Sequence, residues 1–427
     1  MTGDVAGGLK RTHARGGEAR GPAAAAASVS AAAFLLCLAS ATAAQAQEFK
    51  FDGFAEARLV HPTGEQSWLQ GGLGKLRYGG GGDVDPQIGG VVLVPRVELT
   101  PEILAVATAR YDSGQDPRFG VTEAFVRYRP VSTTAFRYTV KAGAFFPPVS
   151  VENEGLGWTS LWTLTNSAIN SWIGEEVRPV GGEGRVEYRT GGALGTVEAI
   201  GSVFAANDTA GTLLGERGWS LTDRITPLGG HVREPDLFAG GNPPANSRVF
   251  DEIDSTPGYY VGASWDVPDY GKATLLYYNN NADINANPTT SAWHTRFWSA
   301  SYSGEFGDFV VMAQGMLGDT RVGHVVFDTE TKFYAAYALL GWNITDAWRL
   351  AARIDQFGTS GFNPADGFNR SEHGHALTID LGWRPKPWLR LSGEVLAIDS
   401  FRAMRASEGV NPKTVDTQLQ LSARLFF

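Results

Sequence analysis

From Gln47 to Phe427 the side chains alternate with a period of two, and no helical period is held for long. In the stretch 49–59, Lys50, Asp52, Glu56 and Arg58 fall on one face, and Phe49, Phe51, Ala55, Ala57 and Leu59 on the other. A strand is the element in which successive side chains point to opposite faces. The pattern recurs along the chain and is interrupted in a regular way. Short turns fall near 100–103, 130–134, 190–193, 267–271, 304–308, 343–347 and 384–387. Longer polar connections fall near 61–90, 113–120, 147–179, 207–256, 281–292, 319–331, 358–373 and 399–414. Seven short turns and eight long connections separate sixteen strands. No apolar run after residue 47 reaches the ~18–20 residues of a membrane helix. The expected fold is therefore all-β: a transmembrane antiparallel β-barrel of sixteen strands, with both termini on the short-turn side. Pro95 removes a ladder donor from the second strand, so a bulge is expected there. The 207–256 connection is long enough to fold over the barrel mouth.

The first 46 residues differ from the rest. Lys10, Arg11, Arg15 and Arg20 precede an Ala/Leu-rich run that ends in Ala44-Gln45-Ala46, a small-x-small pattern. This reads as a secretory signal peptide over 1–46, cleaved from a barrel domain over 47–427. The only cysteine, Cys37, lies inside that run, so the exported part carries no disulfide and no thiolate metal site. The net charge is −9 and there is no basic run, which argues against nucleic acid as a partner.

In a barrel the polar member of each alternation points inward. On strands two to six this places Arg96, Arg110, Arg127, Arg129, Arg137, Lys141, Arg185 and Arg189 toward the lumen, as a basic wall. The inward acids of the same strands are Glu98, Glu123, Glu183 and Glu187, half as many. Tryptophans mark strand ends: Trp342 and Trp348 bracket one turn, Trp383 and Trp388 another, and Trp265 precedes a third. That is the placement of an interfacial girdle. The outward positions of early strands are small (Ala55, Ala57, Ala105, Ala107, Ala109, Ala142, Ala144), and those of later strands bulky (Leu350, Ile354, Leu377, Ile379, Leu381, Leu389, Leu391, Val395). Lipid contact suits the bulky set, and small residues allow close approach between protomers. A homotrimer is expected.

The last strand, 417–427, alternates Leu419, Leu421, Ala423, Leu425 and Phe427 with Gln418, Gln420, Ser422 and Arg424, and stops on the aromatic. It resembles the C-terminal signal that outer-membrane barrels present to their assembly machinery. The whole topology is similar to that of the sixteen-stranded porins of Gram-negative outer membranes, general or phosphate-selective. The resemblance implies a location in the cell outer membrane, among lipid and lipopolysaccharide. It also implies that the third long loop folds into the channel and narrows it.

That third loop is 147–179. It carries Glu152, Glu154, Trp158, Trp162, Trp172, Glu175 and Glu176, and ends in Arg178. It is too apolar for disorder and too long for a turn. Its three indoles would be costly on a wet rim, whereas inside they can pack and find acceptors. The carboxylates are expected opposite Arg96, Arg110, Arg127 and Arg137, as the resemblance implies for an acidic loop facing a basic wall. The loop has no base before Arg178, which departs from the phosphate-selective pattern.

The expected function is a water-filled channel for passive diffusion of small hydrophilic solutes or ions. The alternatives are an outer-membrane enzyme and a structural or adhesin barrel without an open pore. The six histidines after residue 46 fall mostly in or beside loops. His373 and His375 share a strand face but have no third ligand at a telling spacing. The glycines of 71–90 do not spell a phosphate-cradling loop, and Asp83 and Asp85 there read as solvated acids. No catalytic residue, metal or cofactor is assigned.

Overall fold

The computed structural model describes residues 48–233, 246–286, 291–324, 327–363 and 367–427. Sixteen antiparallel strands form one closed barrel. They are β1 Glu48–Thr63, β2 Asp85–Thr100, β3 Ile103–Tyr111, β4 Phe119–Tyr128, β5 Phe136–Ala144, β6 Val180–Arg189, β7 Thr196–Ala205 and β8 Gly258–Val267, followed by β9 Gly271–Asn279, β10 Trp293–Phe306, β11 Phe309–His324, β12 Phe327–Asn343, β13 Trp348–Asn363, β14 Glu372–Lys386, β15 Leu389–Arg402 and β16 Lys413–Phe426. Each pairs with its sequence neighbour, and β16 closes onto β1 in the register Ala57↔Ala423 and Leu59↔Leu421. At the seam, Gly53 N–H donates to Phe427 O (2.9 Å) and Phe427 N–H donates back to Gly53 O (3.1 Å). Closure leaves no edge strand, which is what a sheet needs where water cannot satisfy its backbone.

The period-two reading sets which side each residue faces. On β13, Ile354 is 61% exposed, while Arg353 and Asp355 on either side are buried. The expected girdle is present. Trp265, Trp342, Trp348, Trp383 and Trp388 are all exposed. Trp348 stacks on its cross-strand neighbour Trp383 at 5.4 Å, and Trp342 on Phe309 at 5.9 Å.

Three expectations are corrected. The strands on either side of 319–331, 358–373 and 399–414 run further than their polar residues suggest, to His324, Asn363 and Arg402. Charged residues such as Arg321 and Glu330 continue the ladder outside the apolar belt and pair across it (2.9 Å). Pro95 does not produce a bulge: β1 and β2 stay in register through Phe51↔Pro95, and the β2–β3 ladder skips Val94 and Pro95 without shifting. The shift lies between Glu56 and Ala57, where Gly89 is the extra residue. Finally, the inward face is not uniformly polar. Phe204, Tyr260, Tyr278, Phe297, Phe333, Leu339, Phe357 and Ile398 belong to one buried apolar cluster together with residues of the long connections. The physical reason is contact: these side chains meet protein rather than water.

The connections carry structure of their own. Residues 64–84 include a 3-10 turn at Trp68–Gln70. The segment between β5 and β6 contains helix α1, Ala168–Glu176, capped by the Ser167 hydroxyl accepting from Asn170 N–H (3.3 Å). The segment between β7 and β8 contains α2, Thr212–Glu216, and a short ribbon pairing His231–Arg233 with Asn246–Arg248. Helix α3, Met404–Ser407, follows β15.

Candidate functional site

The 145–179 segment makes its polar contacts with inward side chains of distant strands. Glu152 and Arg353 form a fully buried ion pair, and Arg353 also holds Asp355 at 2.8 Å. The same guanidinium donates to Thr165 O (2.7 Å) and Thr163 Oγ1 (3.0 Å). Arg353 stands on β13, eight strands around the barrel from β5. On β15, Glu394 accepts from the Leu164 and Thr165 N–H groups (2.6 and 3.0 Å) and from Thr165 Oγ1 (2.6 Å). On β16, Gln420 Nε2 donates to Thr165 Oγ1 (3.0 Å), and on β11, Gln314 Nε2 donates to Val149 O (2.9 Å). Asp355 accepts from Ala168 N–H at the start of α1 (3.1 Å). Both oxygens of the buried carboxylates Glu152, Asp355 and Glu394 are thus matched to donors, as burial demands.

Aromatic packing secures the same segment. Trp172 is fully buried, with Phe333 at 5.4 Å, Phe297 at 5.5 Å and Trp219 at 6.1 Å between ring centres. Trp162 lies against β12 where Gly341 has no side chain; a Cβ there would come within 2.6 Å of the indole. Trp158, at φ 58, stacks on Phe146 at 4.0 Å, and Arg178 covers the Phe146 ring at the same distance.

The acid–base pairing expected from the sequence is not the one found. Glu152 pairs with Arg353, and Glu175 with Arg217 and Arg224 of the 206–257 connection. Glu176 accepts from Leu213 N–H (2.9 Å), Gly211 N–H (3.1 Å) and Trp172 Nε1–H (2.7 Å), seating it at the start of α2. Glu154 is exposed. Arg96, Arg110, Arg127 and Arg137 meet none of these four carboxylates in an ion pair among the described residues. The expectation considered only the neighbouring strands, and the segment's partners stand on far ones and on another connection.

The basic wall divides in two. Arg127, Arg129, Lys141 and Arg185 line one cavity of about 270 Å³, with Phe125, Thr139, Glu183, Glu187 and Glu198. It lies in the short-turn half of the barrel. Glu183 binds Arg185 at 2.7 Å and Lys141 at 3.2 Å, and Glu187 binds Arg137 at 3.4 Å. Arg96 pairs with Asp52 at 3.2 Å, and Arg189 donates to Thr134 O at the 130–134 turn (2.9 Å). Arg110 stands apart, at the other end of β3, buried beside Asp223. Sequence reading missed a second inward basic group, Arg349, Arg390 and Arg424 on β13, β15 and β16, of which Arg390 and Arg424 are buried. Arg349 lies 5.5 Å from the Trp162 ring, and Arg390 donates to Leu161 O (3.4 Å). The alternation that found Arg127 would have found these as well.

The first connection joins the same assembly. Lys75 pairs with Glu372 of β14, Arg77 with Asp112 and with Asp223 (2.9 Å), and Arg217 covers the Trp68 ring at 4.6 Å. Its glycines serve close approach, not a phosphate cradle: a Cβ on Gly72 would sit 2.1 Å from Gln66 O. His373 and His375 are exposed on the outer face of β14, where His373 stacks on Phe401 at 5.0 Å. Asp208, Glu252 and Asp254 converge within 4.8 Å, and their oxygens accept from loop N–H groups of Ile253, Ala206 and Thr256.

Glu176 gives the contact between the two connections a pH dependence. Burial pushes its carboxyl from 4.5 up to about 7, against three N–H donors and the Arg217 charge, which pull it down. The docked state therefore holds more protons than the undocked state between those two values. By linkage, docking weakens as pH rises across that window. Amide exchange at Leu213, corrected for its intrinsic rate, is expected to be more protected at pH 5 than at pH 7.5. Glu176→Gln should flatten that difference; an unchanged slope would place the titrating group elsewhere.

No family model matches this chain, and no curated protein matches it in sequence. Solved structures do match in fold. The outer membrane channel DcaP of Acinetobacter baumannii aligns with a TM-score of 0.55 at 10% identity, over 89% of this chain and 97% of that one. OprB of Pseudomonas putida aligns at 0.49 and 13% identity (89% and 94%), and the anion-selective porin of Comamonas acidovorans at 0.47 and 12% (90% and 100%). The fold is that of the sixteen-stranded outer-membrane channel barrels, without assignment to a particular porin family.

Proposed function

We propose that this chain is an outer-membrane diffusion channel whose 145–179 segment folds into the barrel as the constriction. The observation that carries this reading is the pairing of Glu152 with Arg353 and of Thr165 with Glu394 and Gln420. A segment joined to β5 and β6 reaches inward side chains of β13, β15 and β16 only by crossing the lumen. With the 206–257 connection it narrows the long-loop half. The short-turn half stays polar, walled by Arg127, Arg129, Lys141 and Arg185, with the half-buried Arg349 on β13 as a further inward base. Bases lining a pore favour anions, so small hydrophilic anions are the solute class.

In this reading residues 1–46, which lie outside the described residues, are the export signal. The strand ending in Phe427 addresses the barrel-assembly machinery. The exposed apolar belt meets outer-membrane lipid, and lipopolysaccharide surrounds the long-loop end. Three copies associate through the small outward residues Ala55, Ala57, Ala109 and Ala142, whereas Ala105, Ala107 and Ala144, expected on the same face, are buried within the chain. Planar bilayers with a salt gradient test the channel, its ion preference and the trimer together. Insertions are expected to step in threes, with a reversal potential on the anion side. Single steps would remove the trimer, and absence of any conductance would remove the channel.

A further inference from the structure

Asp223, on the connection between β7 and β8, sits among three guanidinium groups drawn from three other parts of the chain. Its carboxylate lies 2.8 Å from Arg58 Nη2 of β1, 2.9 Å from Arg77 Nη1 of the first connection and 3.7 Å from Arg110 Nη2 of β3. Arg110 Nη2 also donates to the Asp223 backbone carbonyl (3.1 Å). All three arginines are buried. Two of them have second partners: Glu56 for Arg58 (2.9 Å) and Asp112 for Arg77. Arg110 has no carboxylate but Asp223 within 4 Å among the described residues, and its Nε and Nη1 are buried without a hydrogen-bond partner. The slot below, between Arg58, Arg110, Arg424 and the hydroxyl groups of Thr159, Ser160 and Thr163, encloses only about 10 Å³. A buried guanidinium with two idle nitrogens is normally paired or hydrated, so this geometry has donor capacity that the fold itself does not use.

We propose that Arg58, Arg77 and Arg110 form a seat for the carboxylate of a small anionic solute, and that Asp223 fills that seat while its connection is docked. Solute and loop then compete for one set of donors, and arrival of the solute releases the loop. The present occupant selects the ligand. The three guanidinium groups hold the planar carboxylate of Asp223, and a solute carboxylate would take the same donors. Guanidinium groups also match a planar carboxylate in two-pronged geometry. This rests on the lumen being a solute path, as argued above, but its test does not depend on conduction.

The experiment is a succinate titration of the full chain in detergent, followed by tryptophan fluorescence, since Trp158 lines the slot. Asp223→Asn keeps the shape and removes the competing charge. It is expected to bind succinate at least tenfold more tightly than the parent protein, and Arg110→Gln at least tenfold more weakly. Heat-modifiable migration on gels confirms that each variant is a closed barrel. Equal affinity in the parent and Asp223→Asn overturns the competition, and inorganic phosphate binding as well as succinate overturns the carboxylate seat. If these shifts appear while bilayers stay silent, the seat stands and the diffusion channel falls.

Discussion

Arg353→Ala is expected to undock the 145–179 segment. Among the described residues the guanidinium is the single cation paired with Glu152 and Asp355, and all three side chains are buried. Removing one partner of a buried pair strands the others, a loss of about 3–5 kcal/mol. Each 1.4 kcal/mol is a factor of ten, so the ratio of docked to undocked segment should fall by roughly two orders of magnitude or more. The readout is single-channel conductance, which should rise and become noisy. The control is Arg353→Met with Glu152→Gln and Asp355→Asn, which leaves no stranded charge and should recover most of the parent behaviour. Unchanged conductance in Arg353→Ala would mean that the segment does not limit the pore.

The second large effect is on ion choice. Four bases and three acids line the cavity in the short-turn half. Neutralising Arg127, Lys141 and Arg185 together as Gln leaves Arg129 against Glu183, Glu187 and Glu198, so the local balance changes sign. A low-dielectric wall focuses that field on the solute path. The chloride-to-potassium permeability ratio in a salt gradient should drop roughly tenfold and pass below one. Each of Arg127, Lys141 and Arg185 sits partly in reach of solvent, so the barrel itself should persist; heat-modifiable migration checks this. A ratio that stays anion-favouring would move the selectivity element to another inward base, Arg349 being the half-buried one on β13.

The barrel was legible because closure imposes a strict period and a strict alternation of turn lengths. Each short turn overlaps the place the sequence assigns to it, the last being displaced from 384–387 to 387–388 because β14 runs on to Lys386. The site was legible only in part. The segment 147–179 stands out by its indoles, but Trp172 finds Trp219 and Phe333, residues 47 and 161 positions away, and no local pattern announces such partners. A weaker signal was available. The stretch 333–342, Phe-Tyr-Ala-Ala-Tyr-Ala-Leu-Leu-Gly-Trp, is apolar on both faces. In a barrel wall that means the inner side meets protein, since a wet lumen would call for polar residues. Arg353, one polar residue in such a neighbourhood, is the kind of position where a buried counter-ion must arrive from elsewhere.

On the proposed reading, the apolar cluster shared by the strands and the connections has a thermal consequence. If the connections undock, Trp172, Trp219, Leu213 and Phe333 pass from packed contact into water. Newly hydrated apolar area raises heat capacity, by about 0.45 cal/mol/K for each Å². Opening should therefore carry a positive heat-capacity change, and the open fraction plotted against reciprocal temperature should curve. Near room temperature apolar hydration has almost no enthalpy, so warming there changes the balance little, whereas at higher temperature the same step absorbs heat and accelerates. A water-filled pore with a rigid wall would give a straight line with the shallow slope of ionic mobility. Thermometry of the current thus reads the wetness of the gate directly, without a mutation.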